Sequence, residues 1–201
     1  CDEAKASYYY QRGIASYNLQ QYEDAVDFYS DGLLKFPESC MLHFFRGNAQ
    51  LTMGLSKEAI PSYQKGLKFR TKFIREFAGG QALGADTMLV KAMNSAGLMT
   101  SISEAYLRTG EYELADLYCD SAIKIMSRYL LDSDVTPEIS AAYNQLAVCK
   151  RAQGKYKAAA SLLDKAIFMD RNNAWALINQ GLNYLCVPAD FDKDKNKQIM
   201  S

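Results

Sequence analysis

The chain has 201 residues, of which 49% are hydrophobic and 23% are charged, an ordinary globular composition that argues against a disordered chain. Its 23 basic residues balance 23 acidic residues, so net charge favours no nucleic-acid partner. No apolar run approaches the ~20 residues that cross a bilayer, and we therefore expect no transmembrane segment.

The first predicted element is a pair of helices over residues 6–39. In its second half, QYEDAVDFYSDGLLKFP, apolar and small residues recur at spacings of three and four, which indicates one face of a helix. Two of these residues, Ala25 and Gly32, are small and seven positions apart. Their size implies that another helix packs closely against this one. Pro37 stands where a helix is expected to have ended.

The second predicted element, residues 40–73, repeats the first at a distance of 34 residues. Three small residues each have a small counterpart 34 positions on, in the pairs Gly13 and Gly47, Ala25 and Ala59, and Gly32 and Gly66. The same template returns at LRTGEYELADLYCDSAI and KRAQGKYKAAASLLDKAI, and a fifth copy begins at NAWALINQGLNYL. A fixed period of this length indicates an array of helical repeats.

These residues resemble the tetratricopeptide repeat, a 34-residue helix–turn–helix unit, over residues 6–73 and 96–186. The resemblance implies an all-α, right-handed superhelical solenoid of antiparallel helix hairpins, in which neighbouring units build one continuous core. We expect a single domain, 1–201, with these parts: repeat one 6–39, repeat two 40–73, an extended helix pair at the insert 74–95, repeat three 96–129, a loop extension 130–139, repeat four 140–173, a partial repeat five 174–187 and a tail 188–201.

The insert after repeat two is expected to be helical on both sides of a turn. Gly79, Gly80 and Gly84 predict the turn, and Asp86 predicts the start of a helix that runs toward Arg108. The two helices would then form a long pair.

The extension after repeat three lengthens its second helix. We expect that helix to continue to about Leu131 before a loop, and Pro137 to open the next helix. Units of this length resemble those of kinesin light chains.

Motifs that carry catalysis are absent from the sequence. It contains no GxSxG, HExxH, P-loop or dinucleotide-binding fingerprint, and its one histidine, His43, falls at a helix-packing position. No two cysteines stand at metal-ligand spacing, and DFDKDKNK lacks the glycine and closing glutamate of a calcium loop. We therefore expect no enzyme, no cofactor and no bound metal.

The cysteine pattern bears on the compartment. The five cysteines are odd in number and form no CxxC, and all but the first lie in apolar helical patterns: Cys1, Cys40, Cys119, Cys149 and Cys186. Free, buried thiols indicate a reducing compartment, hence a cytoplasmic protein. The start CDE leaves an alternative, a bacterial lipoprotein tethered to a membrane through a lipidated Cys1.

The resemblance also implies that the first helices of the repeats line a concave groove. The partner-binding residues expected there are Tyr10, Ile14, Tyr17, Met41, Phe44, Asn48, Leu51, Glu104, Asn144 and Arg151. Tyr10, Tyr17, Met41 and Phe44 would be apolar anchors, and Asn48 would hydrogen-bond a ligand backbone. Repeat five would add Trp175, Ile178, Leu182 and Leu185.

One kind of family ligand is not expected. Some tetratricopeptide co-chaperones hold the terminal carboxylate of heat-shock chaperones with a clamp of Lys, Asn and Arg. No residue at the matching positions can hold a carboxylate, because they are Tyr10, Ile14, Phe45, Gly97 and Ser101.

The sequence therefore predicts a scaffold or adaptor that binds a peptide or an amphipathic helix of another protein in an apolar groove. Internal burial of the groove face is an alternative, as is a structural subunit of a larger complex. A terminal repeat needs a polar outer face, which repeat five lacks. A weak cap formed by FDKDKNKQIM, a longer chain or another subunit would cover it.

Overall fold

The computed structural model of the chain describes the backbone of residues 2–77, 86–129 and 136–186, and the side chains of residues 6–70, 95–128 and 137–186. Within these ranges the regular structure is entirely helical, which confirms the all-α prediction. The α-helices are α1 (Asp2–Asn18), α2 (Tyr22–Lys35), α3 (Cys40–Thr52), α4 (Ser56–Phe77), α5 (Asp86–Thr109), α6 (Tyr112–Met126), α7 (Thr136–Ala152), α8 (Tyr156–Met169) and α9 (Ala174–Cys186).

The helices form consecutive hairpins, α1–α2, α3–α4, α5–α6 and α7–α8, followed by α9. Each second helix packs against its own first helix and against the first helix of the next hairpin. The helices α1, α3, α5, α7 and α9 also contact one another in that order, and we call them the first-helix layer. This neighbour-to-neighbour stacking is that of a helical-repeat solenoid.

Small residues allow the helices of the first two hairpins to approach one another. Gly13 on α1 faces the ring of Tyr29 on α2, and Gly47 on α3 faces the ring of Tyr63 on α4. A Cβ on either glycine would overlap the ring, and both rings are fully buried. Gly32 explains the small residue of the opening pattern, because its Cβ would lie 2.8 Å from side-chain atoms of both α1 and α3.

A residue in the left-handed region closes the turn inside each described hairpin. Gly54, Gly110 and Gly154 have φ of 82°, 83° and 73°, and Gln20 has φ of 62° in the first hairpin. Glycine adopts this conformation without steric cost, whereas glutamine does not. The first turn is therefore strained relative to the others.

Long helices lie on both sides of the insert, because α4 has 22 residues and α5 has 24. The first residue of α5 is Asp86. The turn expected at Gly79, Gly80 and Gly84 lies outside the described residues.

The second helix of the third hairpin changes type near its end. α6 ends at Met126 and continues as a 3-10 turn over Ser127–Tyr129, and the end expected at about Leu131 lies outside the described residues. The last turn tightens to the i→i+3 pattern that is frequent at helix ends. Pro137 is the second residue of α7, a position that needs no backbone donor.

The described cysteines are free thiols. Cys40, Cys119 and Cys149 are buried, as expected, and Cys186 is exposed, which corrects the expectation of burial for that residue. Cys186 is the last residue of α9. The role considered for Cys1 lies outside the described residues.

No described helix combines the length and the apolar character that crossing a bilayer would require.

Candidate functional site

The aromatic side chains predicted to bind a partner lie on α1 and α3, at the start of the first-helix layer. Tyr10, Ile14 and Tyr17 are all partly exposed on α1. Their spacings of four and three place them on one side of that helix. Gly13, three residues after Tyr10 and four before Tyr17, borders this side and faces Tyr29 of α2. The apolar side of α1 therefore extends from its contact with α2 to a margin that is only partly covered.

Tyr10 and Phe44 are connected through Phe45. The ring centroids of Tyr10 and Phe45 are 4.9 Å apart, and those of Phe44 and Phe45 are 5.1 Å apart. Phe45 also lies 6.2 Å from the buried Tyr29 ring, so it fixes the partly exposed rings to the core. Partial burial raises the pKa of Tyr10. The sequence assigned Phe45 only to a clamp position and missed this role, although the pair Phe44-Phe45 was a signal for it.

Polar groups of α1 and α3 are joined by hydrogen bonds. The hydroxyls of Tyr17 and Thr52 are 2.8 Å apart and link α1 to α3. The Tyr63 hydroxyl donates to Oδ1 of Asn48 at 2.8 Å. Asn48 therefore already uses its oxygen within the second hairpin, and its amide NH₂ is the group that could donate to a ligand backbone.

Met41 and Leu51, predicted as groove residues, are not accessible. They are 5% and 8% exposed, and Leu51 packs in the core with Tyr63 and Ile102. This corrects the prediction for both residues, because a buried side chain cannot serve as an anchor for a partner. The accessible part of the predicted surface is smaller and centres on α1.

The predicted polar residue of α5 is paired within its own helix. Arg108 donates to the Glu104 carboxylate at 2.7 Å and to the backbone carbonyl of Leu51 at 2.9 Å. Arg108 thereby ties α5 to the carboxyl end of α3, a role that the sequence did not predict. The spacing of four between Glu104 and Arg108 is typical of helix ion pairs.

The predicted polar residues of α7 hold α9. Asn179 on α9 donates to Oδ1 of Asn144 at 2.9 Å, and Arg151 donates to the carbonyl and to Oδ1 of Asn179 at 3.1 and 3.0 Å. Asn144 and Arg151 therefore make structural contacts between helices, and they lie at the other end of the layer from Tyr10 and Phe44.

The described side chains do not form a metal site, since they include no group of three or more His, Cys, Asp or Glu residues able to hold an ion.

Comparison with known proteins agrees with this architecture. The family model described as the tetratricopeptide repeat matches residues 119–174. No curated protein matches the chain in sequence.

Solved structures resemble the chain over most of its length. A putative kinesin light chain of Podosopora anserina with nearly identical TPR-like repeats is 12% identical, with a TM-score of 0.70 over 100% of this chain and 93% of that one. The MamA protein is 19% identical, with a TM-score of 0.62 over 90% and 81%. The first TPR of Spaghetti (RPAP3), bound to the HSP90 peptide SRMEEVD, is 19% identical, with a TM-score of 0.50 over 73% and 91%.

The family match and these likenesses confirm the resemblance inferred from the sequence. The chain is an all-α solenoid of helix hairpins, and its residues 119–174 match the tetratricopeptide repeat.

Proposed function

We propose that this chain is a non-enzymatic scaffold that binds a peptide or an amphipathic helix of another protein on the surface formed by α1 and α3. The observation that carries the proposal is the partly covered apolar margin of α1, formed by Tyr10, Ile14 and Tyr17, all partly exposed. Phe44 continues this surface on α3. Aromatic side chains held by a packed core lose little conformational freedom on binding and are enriched among interface anchors.

The chemistry of the surface favours an apolar ligand. Its accessible groups are rings, an aliphatic side chain and the amide of Asn48, whereas the cations further along the layer are engaged: Arg108 with Glu104 and Arg151 with Asn179. A ligand would therefore bury apolar side chains against Tyr10 and Ile14, with an acidic peptide such as SRMEEVD as a poor competitor.

Selection from a library of random peptides, followed by fluorescence anisotropy of the enriched sequences, tests this proposal. Enriched peptides should be rich in apolar residues, and Ile14→Glu should weaken their binding at least tenfold. Ile14 suits the test because it lies on the surface and outside the packed hydrophobic clusters of the described residues. Its replacement should therefore leave the fold intact.

Leu34→Glu is the matched control. Leu34 is 83% exposed on α2, so the substitution adds the same charge outside the proposed binding surface of α1 and α3. Peptides that bind Ile14→Glu as well as the parent, or a selection that enriches acidic peptides like SRMEEVD, would contradict the proposed use of α1 and α3.

A further inference from the structure

The last described helix, α9, is inverted in polarity. The residues that it buries are Ala176, Asn179 and Asn183. Two of the three are polar, and Asn183 donates to the carbonyl of Tyr156 at 3.1 Å. Gln180, also turned toward α8, donates to Asp164 at 2.8 Å. Amide hydrogen bonds therefore hold α9 in place, while its large apolar side chains face outward.

The outward residues form one broad surface, which we call the α9 face: Trp175, Leu177, Ile178, Leu182, Tyr184 and Leu185. Each is between 44% and 84% exposed. At 100° per residue, the face is centred opposite the buried stripe. Six large apolar side chains, each at least 44% exposed, make one continuous patch rather than singly scattered residues, and such a patch is typical of an interaction surface.

Gly181 lies near the middle of this face and is not packed against any residue that the structure describes. A Cβ placed on it would meet nothing within 4 Å among the described atoms. Gly13 and Gly47 hold the position of Gly181 in the first and second hairpins. Beside each of them, a tyrosine ring of the following helix occupies the space. The backbone at Gly181 is therefore open to the same kind of aromatic contact.

The residues that follow α9 do not suit this position. In the 34-residue register, Lys193 falls where Ala159 stands one repeat earlier, and Lys197 falls where Leu163 stands. Ala159 and Leu163 are both buried. Lysine is almost never fully buried without a partner, because its charge would lose its hydration. In this register the segment after α9 would place lysines at two positions that the preceding hairpin buries, so it matches the α9 face poorly.

We propose that a second copy of this chain covers the α9 face, through two-fold packing of α9 against α9. The segment AWALINQGLNYLC of α9 carries no charged residue. In a two-fold interface each residue approaches the same surface of the other copy, so a charge near the axis would meet a like charge, and α9 has none. The face also carries the glycine and the tyrosine that form the contact in the first two hairpins. In the dimer, the ring of Tyr184, one turn from Gly181, would pack against Gly181 of the other copy.

Sedimentation equilibrium of the 201-residue chain, with tryptophan fluorescence over the same concentrations, tests the proposal. Trp175 is the one tryptophan of the chain and is 70% exposed, so its emission reports on the face directly. We expect a monomer–dimer equilibrium, with the emission maximum moving to shorter wavelength as the dimer forms.

The double substitution Leu177→Glu with Tyr184→Glu places charges on both copies across the axis and should abolish the dimer. Both side chains are largely exposed, so circular dichroism should show an unchanged helix content. Leu34→Glu, on α2, and Ile14→Glu, on α1, should both leave the dimer intact, which separates this interface from the peptide surface of α1 and α3.

Three results would overturn the proposal. A chain that stays monomeric with long-wavelength emission leaves the face open, and a monomer with short-wavelength emission at every concentration means that its own residues cover the face. A dimer that survives the double substitution is formed through another surface.

Discussion

The first two hairpins and α9 contain the same glycine position in opposite situations. Gly13 and Gly47 are pressed against buried tyrosine rings, whereas no described residue packs against Gly181. All three glycines hold the same position of the repeat, so this position alone specifies that a helix can approach closely. Whether one does depends on what the following segment supplies. A repeat motif can therefore build the core at one end of a solenoid and leave a docking position at the other.

The largest expected effect on stability comes from replacing a glycine by alanine, at the packed Gly13 and at the unpacked Gly181. Gly13→Ala should lower the free energy of unfolding by about 3 kcal/mol, because the fully buried Tyr29 ring must move to make room. Gly181→Ala should instead raise it by up to about 1 kcal/mol through helix propensity. Urea unfolding of both variants, at concentrations where the chain is monomeric, checks the difference.

If both alanine substitutions changed the free energy of unfolding equally, the Gly13–Tyr29 contact would relax without cost and the comparison would fail. An increase in stability for Gly13→Ala would lead to the same conclusion.

A smaller effect on stability is expected from a change of pH, through His43. His43 holds the same repeat position in the second hairpin that Leu177 holds in α9. His43 is 3% exposed and its Nε2–H donates to the carbonyl of Pro37 at 2.9 Å, whereas Leu177 is 48% exposed. Burial lowers the pKa of His43 below its ordinary value of 6.5; the hydrogen bond to Pro37 opposes this shift, and nearby Arg46 and Lys65 add to it. Just below pH 6.5, His43 therefore binds a proton more readily in the unfolded chain than in the folded chain.

Because the unfolded state binds more protons below about pH 6.5, stability should fall as the pH drops from 6.5 toward 5, with a slope of at most about 1.4 kcal/mol per pH unit. Denaturant midpoints across this range measure it. His43→Gln should flatten the slope, and since His43 is the one histidine of the chain, a slope that persists would assign the effect to carboxylates instead.

Much of the fold could be predicted because it depends on local chemistry repeated at a fixed spacing. The 34-residue period located the close crossings at Gly13, Gly32 and Gly47, and each is a contact between neighbouring helices. The change from α-helix to a 3-10 turn after Met126 could not be predicted, because no glycine or proline marks it in the sequence.

The candidate surface was harder to predict, because exposure depends on residues distant in the sequence. Leu51 packs against Ile102 of α5, across the insert, and no periodicity indicates that contact. Asn144 and Arg151 are engaged by Asn179 of α9, although the repeat register marked both as groove positions. The register identifies which side of a helix a residue occupies but not what that residue meets there.

The smallest expected effect tests whether the first two hairpins are as equivalent as the comparison assumes. Gln20 has φ of 62° where the second hairpin has Gly54, with φ of 82°. Gln20→Gly should raise the free energy of unfolding by about 1 kcal/mol, since it removes the steric cost of the left-handed conformation in a β-carbon-bearing residue. Gly54→Gln is the matched reverse change and should lower it by a similar amount. Thermal and urea unfolding of the two variants should thus give shifts of opposite sign. Shifts of the same sign would show that contacts of the Gln20 side chain, rather than its backbone conformation, distinguish the first turn from the second.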